Sequence, residues 1–342
     1  MEELYTDIGI CQVSQRHIPR RIDKGSSWAQ AQASMSAVRP GHGLTRAIAT
    51  HPVGAYLVIL YPVSWILWMP ALLGKSGLGV LSVDIPVQLS ILLVSIFGLT
   101  GVAFLVTRIA DGKPGTRELR RHYLHFRAGP QWYVVALAGA PTLLALVGFL
   151  THGTGALGPF GRHALEIPTL YLLTLIVIAI LISVWEEGGW MSFVTTRLQP
   201  RLGPVWASVA VAPLFGLIHF PLFFITGGLI DNARPQGIHI LEYALYLVVL
   251  FSVPVRILIT WVFNATGGSL PIVALLHASI DTTASGAVLT AFYPGTDGRL
   301  LYVGLAAAAL AVVIATRGRL AYRLISDPTQ QVPASSPAPV TG

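Results

Sequence analysis

Charge is scarce in this chain. Only 11% of its 342 residues are Asp, Glu, Lys or Arg, and 54% are hydrophobic, whereas a soluble domain is about 25% charged. With a mean hydropathy of +0.67, the composition excludes an ordinary soluble globule and predicts a polytopic membrane protein. Cysteine is down to a single residue, Cys11, which rules out an internal disulfide and any CxxC metal or redox motif. There is no HExxH, so zinc has no local signature. The first 50 residues lack the short apolar core and small-residue cleavage site of a secretory signal, so the first apolar run is read as a retained span. The chain does not close on a cysteine-based lipidation box and is not itself read as a prenylation substrate. No internal repeat stands out. The net charge of +7 raises the question of nucleic acid. The basic residues lie in loops between apolar runs, where a membrane protein needs them, and no nucleic-acid partner is expected.

What is present is a series of long apolar runs. A spanning helix needs about 20 mostly apolar residues. Eight runs qualify, roughly Pro52–Leu73, Ile85–Val106, Trp132–Leu150, Pro168–Phe193, Val205–Thr226, Ile240–Phe263, Ser269–Phe292 and Leu300–Thr316. They are continuous rather than alternating, which argues helices against strands. The expected fold is therefore all-α, a transmembrane helix bundle of about eight spans over residues 52–326. It is flanked by a partly disordered tail, 1–51, and a Pro/Ser/Ala-rich disordered end, 327–342. Seventeen of the 22 lysines and arginines fall on the face shared by the two termini. Four (Lys75, Arg162, Arg234, Arg299) fall on the other, and Arg256 is left inside the sixth run. That asymmetry puts both termini in the cytoplasm.

Ionisable side chains inside spans are costly and face a protein interior or a watery cavity. Here they are Glu186 and Glu187 in the fourth run, His219 in the fifth, Arg256 in the sixth, and His277 with Asp281 in the seventh. Glu242 lies at the outer edge of the sixth run, where facing water is as good a reading as any. Phe215 and His219 are four apart, as are His277 and Asp281, so each pair shares a helix face. At the helical rise, Glu186 lies about 15 Å from its basic exit, His219 about 20 Å deep and His277 about 12 Å deep. All three fit between the cytoplasmic half and the middle of the bilayer, where they could converge on one buried cavity open to the cytoplasm. A carboxylate beside a histidine can hold and deprotonate a water. A second histidine with a short polar neighbour can donate to an oxyanion. The set suits amide hydrolysis, although a Glu/His/His group can also bind zinc. The blander readings are a packed histidine, Gly188 and Gly189 as a close-packing device, Pro221 as a kink, and Trp190 as an interfacial anchor.

EEGGW followed by TRLQ, then FGLIHFP, then LLHASID, in this order on successive runs, resembles the CPBP family of CAAX-protease and bacteriocin-processing membrane proteins, related to the type II CAAX prenyl endopeptidase. The resemblance covers about residues 165–290. It implies that Glu186 activates a water, that Glu187 supports it, that His219 orients that water or shares its proton, and that His277 and Asp281 line an oxyanion site. Phe215 is the phenylalanine of the FxxxH motif. No obligate metal is implied, and no cofactor is expected. Two positions depart from the family pattern. Met191 stands where the motif places an arginine, and Arg256 is a candidate replacement from the sixth run. Asp281 stands where Asn is common; an ionised Asp cannot donate a hydrogen bond, so it either carries a proton or orients His277.

The leading expectation is an integral-membrane endopeptidase, in a prokaryotic plasma membrane, cutting near a membrane-embedded or lipidated segment of a substrate. Two alternatives stay open. One is a catalytically idle scaffold of the same fold, which Met191 favours. The other is a proton-coupled transporter, since carboxylates and histidines also build proton relays.

Overall fold

Continuous apolar runs fold as helices here, and among the described residues there is no strand. The structure, a computed structural model, describes residues 43–225, 249–294 and 299–322. Most of the expected N-terminal tail, the expected C-terminal tail, Arg234, and Glu242 with the start of the sixth run lie outside the described residues. The last part of the segment read as a tail is helical, Leu44–Thr50 (α1).

Five helices are long and apolar enough to cross a membrane: Pro52–Leu73 (α2), Val87–Ala110 (α3), Pro130–Ala156 (α5), Gly161–Leu202 (α6) and Pro204–Phe224. Between α3 and α5 lies a polar helix, Gly112–Tyr123 (α4). Three shorter apolar helices, Val249–Ala265 (α8), Leu270–Ala284 (α9) and Leu300–Ala315 (α11), fall on the sixth, seventh and eighth predicted runs. The all-α polytopic bundle is as expected. At 15 residues, α9 reaches only about 22 Å of a hydrocarbon core about 30 Å thick.

Breaks within the runs have local causes. Pro221 lacks an N–H and clashes with a continuing helix, so the fifth run stops as an α-helix at Ile218. Pro204–Ile218 (α7) is followed by a 3-10 turn, Phe220–Phe224, and His219 sits at the junction. The Leu222 N–H turns to His219 O at 2.9 Å, and the Ile218 carbonyl accepts instead from the Trp68 indole at 3.1 Å. In the seventh run Ser285 takes an extended conformation and accepts the Val288 N–H, opening a new helix, Gly286–Phe292 (α10). The tight turn between α6 and α7 runs through Gly203 at φ 75°, a conformation that favours glycine.

The fourth run is the longest element. α6 has 42 residues, about 63 Å at the helical rise and roughly twice the hydrocarbon thickness. It widens to π geometry at Ala179–Ser183 and Trp190–Thr195, and the α-helical turn between them, Val184–Gly189, carries the glutamate pair. Each π turn shifts the phase of the side chains beyond it, a feature frequent at functional sites.

α6 lies between two apolar cores. One gathers α5, α8, α9 and α11 with Met191. The other gathers α2, α3 and α7 with Trp190 and Phe193. Trp190 is fully buried and meets Tyr56 and Phe215 edge-on, so it is a core residue and not the interfacial anchor its type suggested. Gly188 packs under the Tyr123 hydroxyl and Thr100, and Gly189 against Tyr56 and Leu99, which is the close-packing use expected of them.

Candidate active site

Consecutive residues on a helix point about 100° apart, so Glu186 and Glu187 leave α6 toward different cores. Glu187 is fully buried. Arg256 on α8 grips it with both terminal nitrogens: Nη1 donates to Oε2 at 2.9 Å, and Nη2 pairs with Oε1. His277 Nδ1 on α9 stands 2.7 Å from the same Oε1. Both oxygens of Glu187 are thus covered by nitrogens. The family pattern would supply a cation from position 191, one turn along α6. Here the cation comes from another helix, and Met191 fills its own position as a core side chain, 3.8 Å from Thr260 Oγ1.

Glu186 meets something different. It is 5% exposed, and Ser95 Oγ in the π segment Val94–Gly101 of α3 lies 3.2 Å from Oε1. No ion pair to Glu186 is formed among the described residues.

The histidines complete the cluster. His219 Nδ1 is 2.8 Å from Phe215 O. A carbonyl can only accept, so Nδ1 carries a hydrogen, and in the neutral ring the lone pair is then on Nε2. The helix break at Pro221 thereby fixes the tautomer that can take a hydrogen bond from water. His277 is 2% exposed, with Nε2 at 3.4 Å from Asp281 Oδ2, and Asp281 is 32% exposed. Each ring nitrogen of His277 faces a carboxylate oxygen. Phe215 is the hub between these groups. Its ring centroid is 4.7 Å from the His219 ring, 6.0 Å from the His277 ring and 4.7 Å from the Arg256 guanidinium carbon. Asp281 is within electrostatic reach of His277, Glu186, His219 and Glu187.

The structure therefore draws Glu186, Glu187, Phe215, His219, Arg256, His277 and Asp281 from four helices into one neighbourhood. It adds Ser95, which no motif marked. Among the described residues no three His, Cys, Asp or Glu side chains form a group that could hold a metal ion. The donor set does not fit a bound zinc.

Fold and site together define an integral membrane protein with a buried carboxylate–histidine cluster. Residues 168–283, about a third of the chain, match the family model described as "Type II CAAX prenyl endopeptidase Rce1-like", which bears out the resemblance drawn from the three motifs. No curated protein matches the chain.

Proposed function

We propose that this chain is an intramembrane endopeptidase that hydrolyses a peptide bond near a membrane-embedded or lipidated segment by glutamate-activated water. The observation that carries the reading is the unequal treatment of the carboxylate pair. Glu187 is held by Arg256 and His277, so it serves as a fixed anion that orients both. Glu186 is paired with no cation among the described residues and meets a serine hydroxyl, so its carboxylate is the one available to a water. In this scheme Glu186 takes the proton of a water that also donates to His219 Nε2. The resulting hydroxide attacks the scissile carbonyl carbon. The proton then passes to the departing amine nitrogen as the C–N bond breaks. His277 is held at Nδ1 by Glu187, so it can serve as an oxyanion donor only through Nε2, which would exchange its long contact with Asp281 for the oxyanion. Asp281, with Nε2 at 3.4 Å, acts as the carboxylate partner that orients this ring. Substrate entry is on the cytoplasmic side of a prokaryotic plasma membrane, where the basic loops also place both termini. The name of the matched family favours lipidated peptides among the substrates.

The test is cleavage of a library of membrane-embedded and prenylated peptides by the purified protein in lipid nanodiscs, with and without chelator. Cleavage is expected from the parent, insensitive to chelator, and lost in Glu186→Gln and in His219→Ala. Full activity of Glu186→Gln overturns the mechanism. No cleavage by a folded parent across the library overturns the enzyme and leaves the scaffold.

A further inference from the structure

Ser95 is buried on α3, in a span outside the segment matched by the family model. Its hydroxyl oxygen has two neighbours: Ile91 O, one turn back on the same helix at 2.8 Å, and Glu186 Oε1 at 3.2 Å. A hydroxyl has one hydrogen to give and two lone pairs to accept with. The Ile91 carbonyl can only accept. A carboxylate can only accept, whereas a carboxylic acid can also donate. One serine hydrogen therefore cannot satisfy both neighbours when Glu186 is ionised; when Glu186 is protonated, its own O–H can supply the second contact.

We infer that Ser95 is a positioning residue for Glu186 that stays hydrogen-bonded to it in both protonation states by rotating a single O–H. With Glu186 ionised, the Ser95 hydrogen points to Oε1. When Glu186 takes up a proton from water, its new O–H donates to Ser95 Oγ, and the serine hydrogen turns to Ile91 O. No atom moves except a hydrogen, and the carboxyl keeps its place through proton uptake and release. A backbone carbonyl in the same position would meet only the protonated form, and an amide N–H could donate to either form but could not accept the new O–H. The π segment that begins at Val94 helps, because it shifts the phase of α3 where it faces the glutamate turn of α6.

The inference deepens the endopeptidase reading and rests on it for its catalytic consequence, but the hydrogen bond can be read without turnover. The experiment combines infrared difference spectroscopy of the full chain carrying carboxyl-13C glutamate, with Glu186→Gln used to identify the Glu186 bands, and steady-state peptide cleavage. The variants are Ser95→Ala, Ser95→Thr and Ser95→Val, each checked for the parent's helicity and melting curve. In Ser95→Ala the carboxylic C=O band and the carboxylate band of Glu186 should both shift. In Ser95→Thr, which keeps the hydroxyl, both should stay near the parent's. In Ser95→Val, isosteric with Thr, both should shift again. The kcat of Ser95→Ala should fall roughly tenfold with KM unchanged, as for loss of one hydrogen bond to a charged group. Unmoved bands in folded Ser95→Ala and Ser95→Val overturn the inference. A shift of one band only also overturns it, because the serine would then serve a single protonation state. A parent without cleavage removes the protease reading while the infrared result still decides the role of Ser95.

Discussion

The two halves of the bundle that meet on α6 treat adjacent carboxylates in opposite ways. The half built from α8, α9 and α11 gives Glu187 a buried arginine and a histidine. The half built from α2, α3 and α7 gives Glu186 a neutral hydroxyl. Removing one partner of a buried ion pair leaves an uncompensated charge, whereas removing a neutral partner costs a single hydrogen bond. One half thus locks a charge in place and the other leaves a charge free to change. A hydrolytic site that acts through one carboxylate needs that division.

The sharpest way to break the comparison is to remove Arg256. Arg256→Gln should destabilise the protein by about 3–5 kcal/mol, read as a fall in the melting temperature in nanodiscs. Combining it with Glu187→Gln should recover much of the loss, since the orphaned charge goes with it. Glu186→Gln should cost no more than about 1 kcal/mol while abolishing cleavage. Equal destabilisation by Glu186→Gln and Glu187→Gln would refute the contrast.

Swapping the source of the cation is the second test. Met191 and Glu187 are one turn apart, and Met191 is 1% exposed and belongs to the same core as α8. Met191→Arg alone adds a second buried cation with one carboxylate to share and should cost about 3 kcal/mol. Met191→Arg with Arg256→Met restores the one-to-one balance and should melt closer to the parent than either single variant. Additive losses in the double variant would mean that Arg256 does not stand in for a cation at position 191.

A smaller effect belongs to the Glu186 half. Tyr123 Oη donates to Thr100 Oγ1 at 2.7 Å, and Thr100 in turn donates to the Trp185 carbonyl at 2.5 Å. The Tyr123 hydroxyl lies so close over Gly188 that a Cβ there has no room. Gly188→Ala should cost about 1–3 kcal/mol by overpacking, and Tyr123→Phe in that background should return part of it. If Gly188→Ala melts with the parent, the glutamate turn is not held by this contact.

Much of this was legible in the sequence, for a physical reason: apolar runs and i, i+4 pairs are local. The eight runs, the histidine at FGLIH, the His277–Asp281 pair and the unexplained Arg256 could all be read from spacing and the cost of buried charge. What could not be read is non-local. Ser95 is 91 residues from its partner Glu186 and looks like any serine in an apolar run. The π turns of α3 and α6 shift side-chain phase without a sequence mark. Trp190 reads from sequence as an interfacial anchor because an aromatic near a polar pair fits the membrane interface as well as a core. Pro221 reads as a kink, but its consequence, the hydrogen held on Nδ1 of His219, depends on the backbone conformation at the break.

The division between halves recurs on α4, where adjacent residues again part company, and pH can test it. Tyr123 joins Thr100 and the glutamate turn. His122 turns the other way, edge-on to Phe263 at 5.2 Å and against Gly268 in the turn between α8 and α9. Burial, reinforced by the nearby Arg121, His125 and Arg197, holds the His122 ring down at about 3, against an ordinary 6.5. Glu118, 3.6 Å from Nε2, does not offset this, since Arg121 holds its carboxylate in a two-point contact. The unfolded chain takes up a proton near the ordinary value and the folded chain does not until far lower, so protons favour unfolding between the two. The stability from a neutral His122 is fully present above pH 6.5 and is lost as pH falls toward 3, with a slope of up to about 1.4 kcal/mol per pH unit. The melting temperature of the parent relative to His122→Phe should therefore fall steadily from pH 7.5 to 4.5, because Phe packs on Phe263 without a proton to gain. A difference that stays constant would mean that His122 is not kept neutral by the α8–α9 half, and the contrast drawn for α6 would not extend to α4.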